Sequence, residues 1–270
     1  MILYHNMRTT IYTFAMLLVM ACSNNSGDSE IIFETVASDK TVILSNDEDS
    51  PSCRVHLKLE SATSEAGHRG ELINETIIKT LLDPHGEKDM KIAAEKFITD
   101  YTDNYKKTML PLYNQDRIDT TKRFWYEYHY ILEATTQKGT KNTICYLTTI
   151  DYYEGGAHGV NLLKTMNFDT RDGHLLTLDN IFVPGYEQPL KELLMNALKT
   201  KTGCSTIKAL HEKGYLRSMD IFPSKNFILD NETITFIYNP SEIASYDLGS
   251  TQLVIPYSDL SSLTKNSFDL

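Results

Sequence analysis

The sequence predicts an α+β fold with mixed or antiparallel sheets, packed helices and two intimately joined subdomains. Three observations carry this: strand-like alternation near both ends of the chain, two amphipathic helical stretches grouped between strands, and hairpin punctuation in place of regular strand–helix alternation. With 270 residues, 41% of them hydrophobic, the chain is long enough to bury a core, as one large domain or two small ones.

Taken in order, the first residues read as a leader. Arg8 is followed by an apolar run from Ile11 to Met20, too short to span a bilayer comfortably. Val19-Met20-Ala21-Cys22 then has the order of a bacterial lipobox, so residues 1–21 are expected to be a lipoprotein signal peptide and Cys22 the lipidation site. Residues 22–30 are polar and small, as in a flexible tether, which places the mature protein outside the cytoplasm, lipid-anchored in the cell envelope (periplasmic or cell surface). Cys53, Cys145 and Cys204 remain; an odd number cannot all pair, and buried free thiols are the expectation for Cys53 and Cys145.

Short β-rich runs at Ile31–Val36 and Thr41–Leu44 precede an acidic turn and a strand in which Val55, Leu57 and Leu59 alternate with polar residues. Helical spacing follows over Glu71–Leu82, stopped by Asp83-Pro84-His85-Gly86, and again over Lys88–Met109, with Pro111 beyond. Arg123–Ala134 is read as a strand, with Phe124, Tyr126, Tyr128 and Tyr130 on one face, returning through a polar turn to Lys141–Tyr152. After the stretch D-Y-Y-E-G-G-A-H-G (Asp151–Gly159) come a strand at Val160–Phe168, an Asp-Gly hairpin turn, and a return at His174–Leu178. A helix at Pro189–Lys199, a short one at Thr206–Glu212 and strands at Phe227–Leu229, Thr233–Tyr238 and Gln252–Ile255 complete the chain.

Several of these pieces, in this order, resemble the extracytoplasmic RsiV-like and PdaC-like domains of unknown function: I-N-E-T-I-I at Ile73–Ile78, A-A-E-K-F-I-T-D-Y at Ala93–Tyr101, Y-E-G-G-A-H-G at Tyr153–Gly159, F-D-T-R-D-G-H-L-L-T-L-D-N-I-F at Phe168–Phe182, and the closing F-I-Y-N-P-S-E-I-A-S-Y-D-L-G with V-I-P-Y-S-D-L. The resemblance implies a PdaC-like subdomain at 31–152, an RsiV-like subdomain at 153–262 and a tail at 263–270. Such domains occur in an anti-sigma factor that senses lysozyme and beside a peptidoglycan deacetylase domain, so a non-catalytic binding or sensing role toward a cell-wall glycan or a lysozyme-like cationic protein is what the resemblance implies.

The dense cluster of chemistry-bearing residues is Asp151–Gly159. Glu154 and His158 are the candidates for an acid–base pair in an envelope hydrolase, joined by His174 or Asp247, but Gly155 and Gly156 favour a tight turn over a helix that would align them. HExxH, G-x-S-x-G and phosphate-loop spacings are absent, and the K-T-G, S-x-x-K and S-x-N motifs between 201 and 226 stand in the wrong order for penicillin-recognising enzymes. The candidate binding residues are Tyr153, His158, Tyr246 and Asp247; no cofactor or metal is expected. A net charge of −10 argues against nucleic acid and favours a cationic partner.

Overall fold

Alternation builds the first sheet. The computed structural model describes residues 30–83 and 86–268, in which β1 (Phe33–Ile43) pairs antiparallel with β2 (Ser52–Ala62). Cys53, Val55, Leu57 and Leu59 are buried along one face of β2, as the alternation predicts. The sequence predicts two short runs where the structure has the single strand β1. Its polar centre is carried through by pairing, Ser38 and Lys40 lying opposite Leu57 and Val55, while Asp39 accepts from His56 at 2.6 Å. The expected leader, the Cys22 lipidation site and nearly all of the tether lie outside the described residues.

α1 (Gly67–Leu81) and α2 (Met90–Asp116) form the long crossover that a parallel pair requires, here between β2 and β3 (Tyr128–Lys138). Ile73, Ile77, Ile78 and Leu81 give α1 its buried side. Asn74 ties the helix to the strand before it, its amide bonding Ala62 N and Ala62 O at 2.8 and 2.9 Å. α2 opens on Asp89, whose carboxylate accepts from Ile92 N.

Two expectations need correction here. α2 does not stop before Pro111 but runs through it to Asp116, with Tyr105 and Tyr113 buried on either side of the proline. That burial outweighs a proline penalty of about 3 kcal/mol. Nor is Arg123–Glu127 strand: Thr120–Tyr126 form a 3₁₀ segment. Asp119 caps it by accepting from Thr121 N, and Asp116 holds it closed through Lys122 Nζ and the Tyr126 hydroxyl, both at 2.8 Å. Phe124 and Trp125 consequently point to solvent, whereas Tyr126 is buried and Tyr128 and Tyr130 pack against the core as expected.

β3 and β4 (Thr143–Glu154) form the predicted hairpin, β4 pairs antiparallel with β5 (Val160–Asp169), and β6 (Leu175–Leu176) pairs with the end of β5. The sheet order is β1-β2-β3-β4-β5-β6. The sheets therefore divide after Leu176 and not at the 152/153 boundary implied by the resemblance, because β5 completes the first sheet.

The second core gathers around a three-stranded antiparallel sheet of β7 (Phe227–Leu229), β8 (Thr233–Tyr238) and β9 (Thr251–Pro256). Leading into it are α3 (Leu178–Ile181), α4 (Glu187–Thr202) and α5 (Ile207–Glu212); α6 (Tyr257–Leu260) follows. Pro189 sits in the first turn of α4, where its missing N–H costs nothing, and Leu190, Leu194 and Leu198 form the buried side.

Asparagine amides join the two sheets. Most of the outer edge of β5 is left unpaired by the short β6, and side chains from the second unit complete it. Asn226 Oδ1 accepts from Thr165 N and Asn226 Nδ2 donates to Leu163 O, both at 2.8 Å, while Asn239 Oδ1 accepts from Leu163 N at 2.8 Å. In return, Asn167 donates to Phe227 O at 2.7 Å and accepts from Leu229 N at 3.2 Å. Each amide carries a donor and an acceptor in the pattern of a peptide group, so three side chains do the work of a strand edge. Cys53, Cys145 and Cys204 are free and buried. Burial above all pushes the Cys53 and Cys145 thiols up to about 12, as an inert structural cysteine requires.

Candidate functional site

β4 ends at Glu154 and β5 starts at Val160, so the glycine-rich stretch is a hairpin turn within one sheet, not a junction between two subdomains. Gly155 and Gly156 take φ values of 81° and 94°, a region where a side chain is strained. Gly155 also permits a close approach: a Cβ there would stand 2.8 Å from Trp125 O. This lets the backbone of the 3₁₀ segment lie against the turn, and the two side chains of that segment, Phe124 (55%) and Trp125 (46%), are exposed. Those rings meet edge to face, with centroids 5.7 Å apart.

A second loop closes on the turn from the other unit. Tyr246, in a single 3₁₀ turn at residues 246–248, stacks on His158 with centroids 5.6 Å apart and planes 26° apart, and its hydroxyl donates to Gly159 O. Tyr153 donates to Gly156 O at 2.8 Å and stacks on His129 at 6.2 Å. The structure thus brings Tyr153, His158 and Tyr246 together around one turn, with Asp247 exposed beside them.

Glu154 belongs elsewhere. Successive strand residues face opposite sides of a sheet, and Glu154 accepts a 2.7 Å hydrogen bond from Tyr101 of α2. Burial, then this bond and the carboxylate charge, hold the Tyr101 phenol well above its ordinary value. No hydrogen bond or ion pair joins Glu154 to His158 in the structure. His174 pairs with Asp172 at 3.3 Å beyond the other end of β5, ten residues of strand from the glycine turn. The four groups named for hydrolysis do not form an acid–base pair. Among the described residues no group of three His, Cys, Asp or Glu side chains could hold a metal ion.

Phe124 and Trp125 are the exposed aromatic residues that sequence reasoning mislaid by placing them on a strand. The signal that could have found them is Asp119 ahead of Thr-Thr-Lys, a helix-start pattern interrupting the run of alternating aromatics. Chemically, the aromatic cluster around the turn offers flat apolar faces edged with hydroxyl and imidazole groups, suited to stacking against rings of similar size.

Fold and site together define an α+β protein with two linked sheets and an aromatic cluster where a loop of the second unit meets the glycine turn of the first. Residues 179–258, the second unit from α3 to α6, match the family described as "Protein of unknown function (DUF3298)". A DUF3298 family member from Bacteroides fragilis NCTC 9343 is similar over 87% of this chain and 94% of its own, at 27% identity and a TM-score of 0.80. A DUF3298 family protein from Pseudomonas aeruginosa PAO1 shares the fold, with a TM-score of 0.59 at 17% identity over 88% of this chain and 96% of its own. Among curated proteins, none matches.

Proposed function

We infer that the protein is a lipid-anchored, non-catalytic binding module of the cell envelope that takes a cell-wall glycan at the rim formed by Phe124, Trp125, Tyr153, His158 and Tyr246. The observation that carries this reading is the exposed His158–Tyr246 stack on the glycine turn, with the backbone of the segment that bears exposed Phe124 and Trp125 packed against the same turn. Rings exposed to water at one place contribute little to the fold and stack well on the apolar faces of sugars. The lipobox ending in Cys22 and the resemblance to RsiV-like and PdaC-like domains support the envelope setting.

Trp125 is the single tryptophan of the chain, which makes it a reporter. Titration with N-acetylglucosamine oligomers and with solubilised peptidoglycan fragments is expected to change its fluorescence saturably. Phe124→Ala and Tyr246→Ala should each weaken binding about threefold to tenfold, the worth of one aromatic contact. An unchanged emission with both ligands would sink the glycan reading.

The net charge of −10 favours a second reading, in which the same module holds a cationic protein such as lysozyme. Retention on immobilised lysozyme that fades as salt rises would support it, since screening weakens attraction between exposed charges.

A further inference from the structure

A separate cleft of about 390 Å³ opens between β5–β6 and the α3–α4 segment, bounded on its far side by the loop that leads into β7. Met166, Leu176, Leu178, Tyr186 and Phe227 give it apolar walls, and its volume falls within the range of small-molecule sites. One polar group there stands out. Lys164 is half-buried on β5, and its ammonium makes a single hydrogen bond, to Thr80 O at 3.0 Å. An ammonium has three donors, so two are left over, and none of the ion pairs among the described residues involves Lys164. Burial alone holds it below the ordinary lysine value, so it is a cation kept at a desolvation cost with no charged partner. Lys225, exposed on the loop before β7, adds a second positive charge at the mouth.

The acids of the cleft lie on a different element. Asp179 accepts from the Tyr186 hydroxyl at 3.1 Å, and Glu187 begins α4; both side chains are solvent-exposed. They leave the lysine side of the cleft positive while discouraging a ligand with several negative charges. We propose that this cleft binds a small amphiphile bearing one carboxylate, its apolar body against Met166 and Phe227 and its carboxylate on Lys164. The complementarity is specific: an apolar enclosure with one underused ammonium matches a single carboxylate on a hydrocarbon body, whereas a neutral chain would leave the ammonium unpaired and a polyanion would meet Asp179 and Glu187. The site is independent of the aromatic rim and shares no residue with it.

The test compares decanoate with decanol on the mature protein carrying Cys22→Ser, by calorimetry and by the ¹³C-methyl signal of Met166. Decanoate is expected to bind at least tenfold more tightly than decanol and to shift Met166. Lys164→Met should bring decanoate down to the decanol level, and Lys164→Arg should keep most of the preference. Equal affinity for the two probes, no binding of decanoate, an unmoved Met166 signal, or full decanoate affinity in folded Lys164→Met would each overturn the proposal. Should Lys164→Met fail to fold, the decanoate-to-decanol ratio and the Met166 shift on the unsubstituted lysine still decide it.

Discussion

The two turns that bracket β5 look alike in sequence and differ in what surrounds them. Both put a positive-φ glycine at a reversal: Gly155 and Gly156 at one end, Gly173 at φ 80° at the other. Around Gly173 the molecule is closed. A Cβ there would meet Arg69 O at 2.4 Å and Arg69 Cα at 2.9 Å, and Asp169 clamps the turn by accepting from Arg171 N and Nε, each at 2.9 Å. Gly156 has nothing within 4 Å of its would-be Cβ, and the residues after it are exposed. The same backbone device therefore serves packing alone at Gly173, and at the other end packing at Gly155, against Trp125 O, followed by display from Gly156 onward. The sign of that difference is set by neighbours distant in sequence, Arg69 in one case and Tyr246 in the other.

The largest expected effect tests the closed turn. Gly173→Ala adds a clash with the α1 backbone to the strain of positive φ, and should lower stability by about 3 kcal/mol or more in urea denaturation. A loss under 1 kcal/mol would mean that α1 yields, and the contrast between the turns would collapse.

Asp169→Asn comes next, at about 1–2 kcal/mol near neutral pH. Burial alone would raise the Asp169 carboxyl, but its hydrogen bonds and charge interaction with Arg171 prevail and hold it below the usual value. A carboxyl depressed in the folded state stabilises above its unfolded value of about 3.9, and the contribution fades as pH falls through the folded value. Melting curves of the wild type should thus drop more steeply below about pH 4 than those of Asp169→Asn. Parallel curves would remove Asp169 from the clamp.

Gly156→Ala carries the conformational strain without the clash, and about 1 kcal/mol is expected. Its difference from Gly173→Ala measures the packing component by itself. Smallest of all, His158→Ala should shift stability by less than about 0.5 kcal/mol, since the ring is exposed, while weakening the glycan binding proposed above. Destabilisation beyond 1 kcal/mol would show that the stack with Tyr246 holds the two units together and is not a surface for ligands.

Much of the fold was legible because its patterns are local. The alternation of Val55, Leu57 and Leu59, the Asp-Gly reversal at 172–173, the Pro189 helix start and the three late strands all follow from short-range rules. The failures share one cause. Pro111 and the Phe124–Trp125 segment were decided by contacts from elsewhere: burial of Tyr113 beyond the proline, and the Asp116 carboxylate gripping Lys122 and Tyr126. The site was half legible for the same reason. Tyr153, His158 and Tyr246 stand out as unusual residues near turns, yet that His158 would stack on Tyr246, and that Glu154 would turn away to Tyr101, depends on the pleat and on the return of the chain some 90 residues later.

The asparagine contacts to β5 also constrain the order in which the chain can mature. All six strands of the first sheet are present once residue 176 has been made, but Leu163 and Thr165 must wait for Asn226 and Asn239, 61 to 76 positions further on. Until then a nascent chain carries an open strand edge flanked by apolar residues, the kind of surface that recruits other chains. The last third of the protein thus supplies the groups that cover the open edge left by the first two thirds.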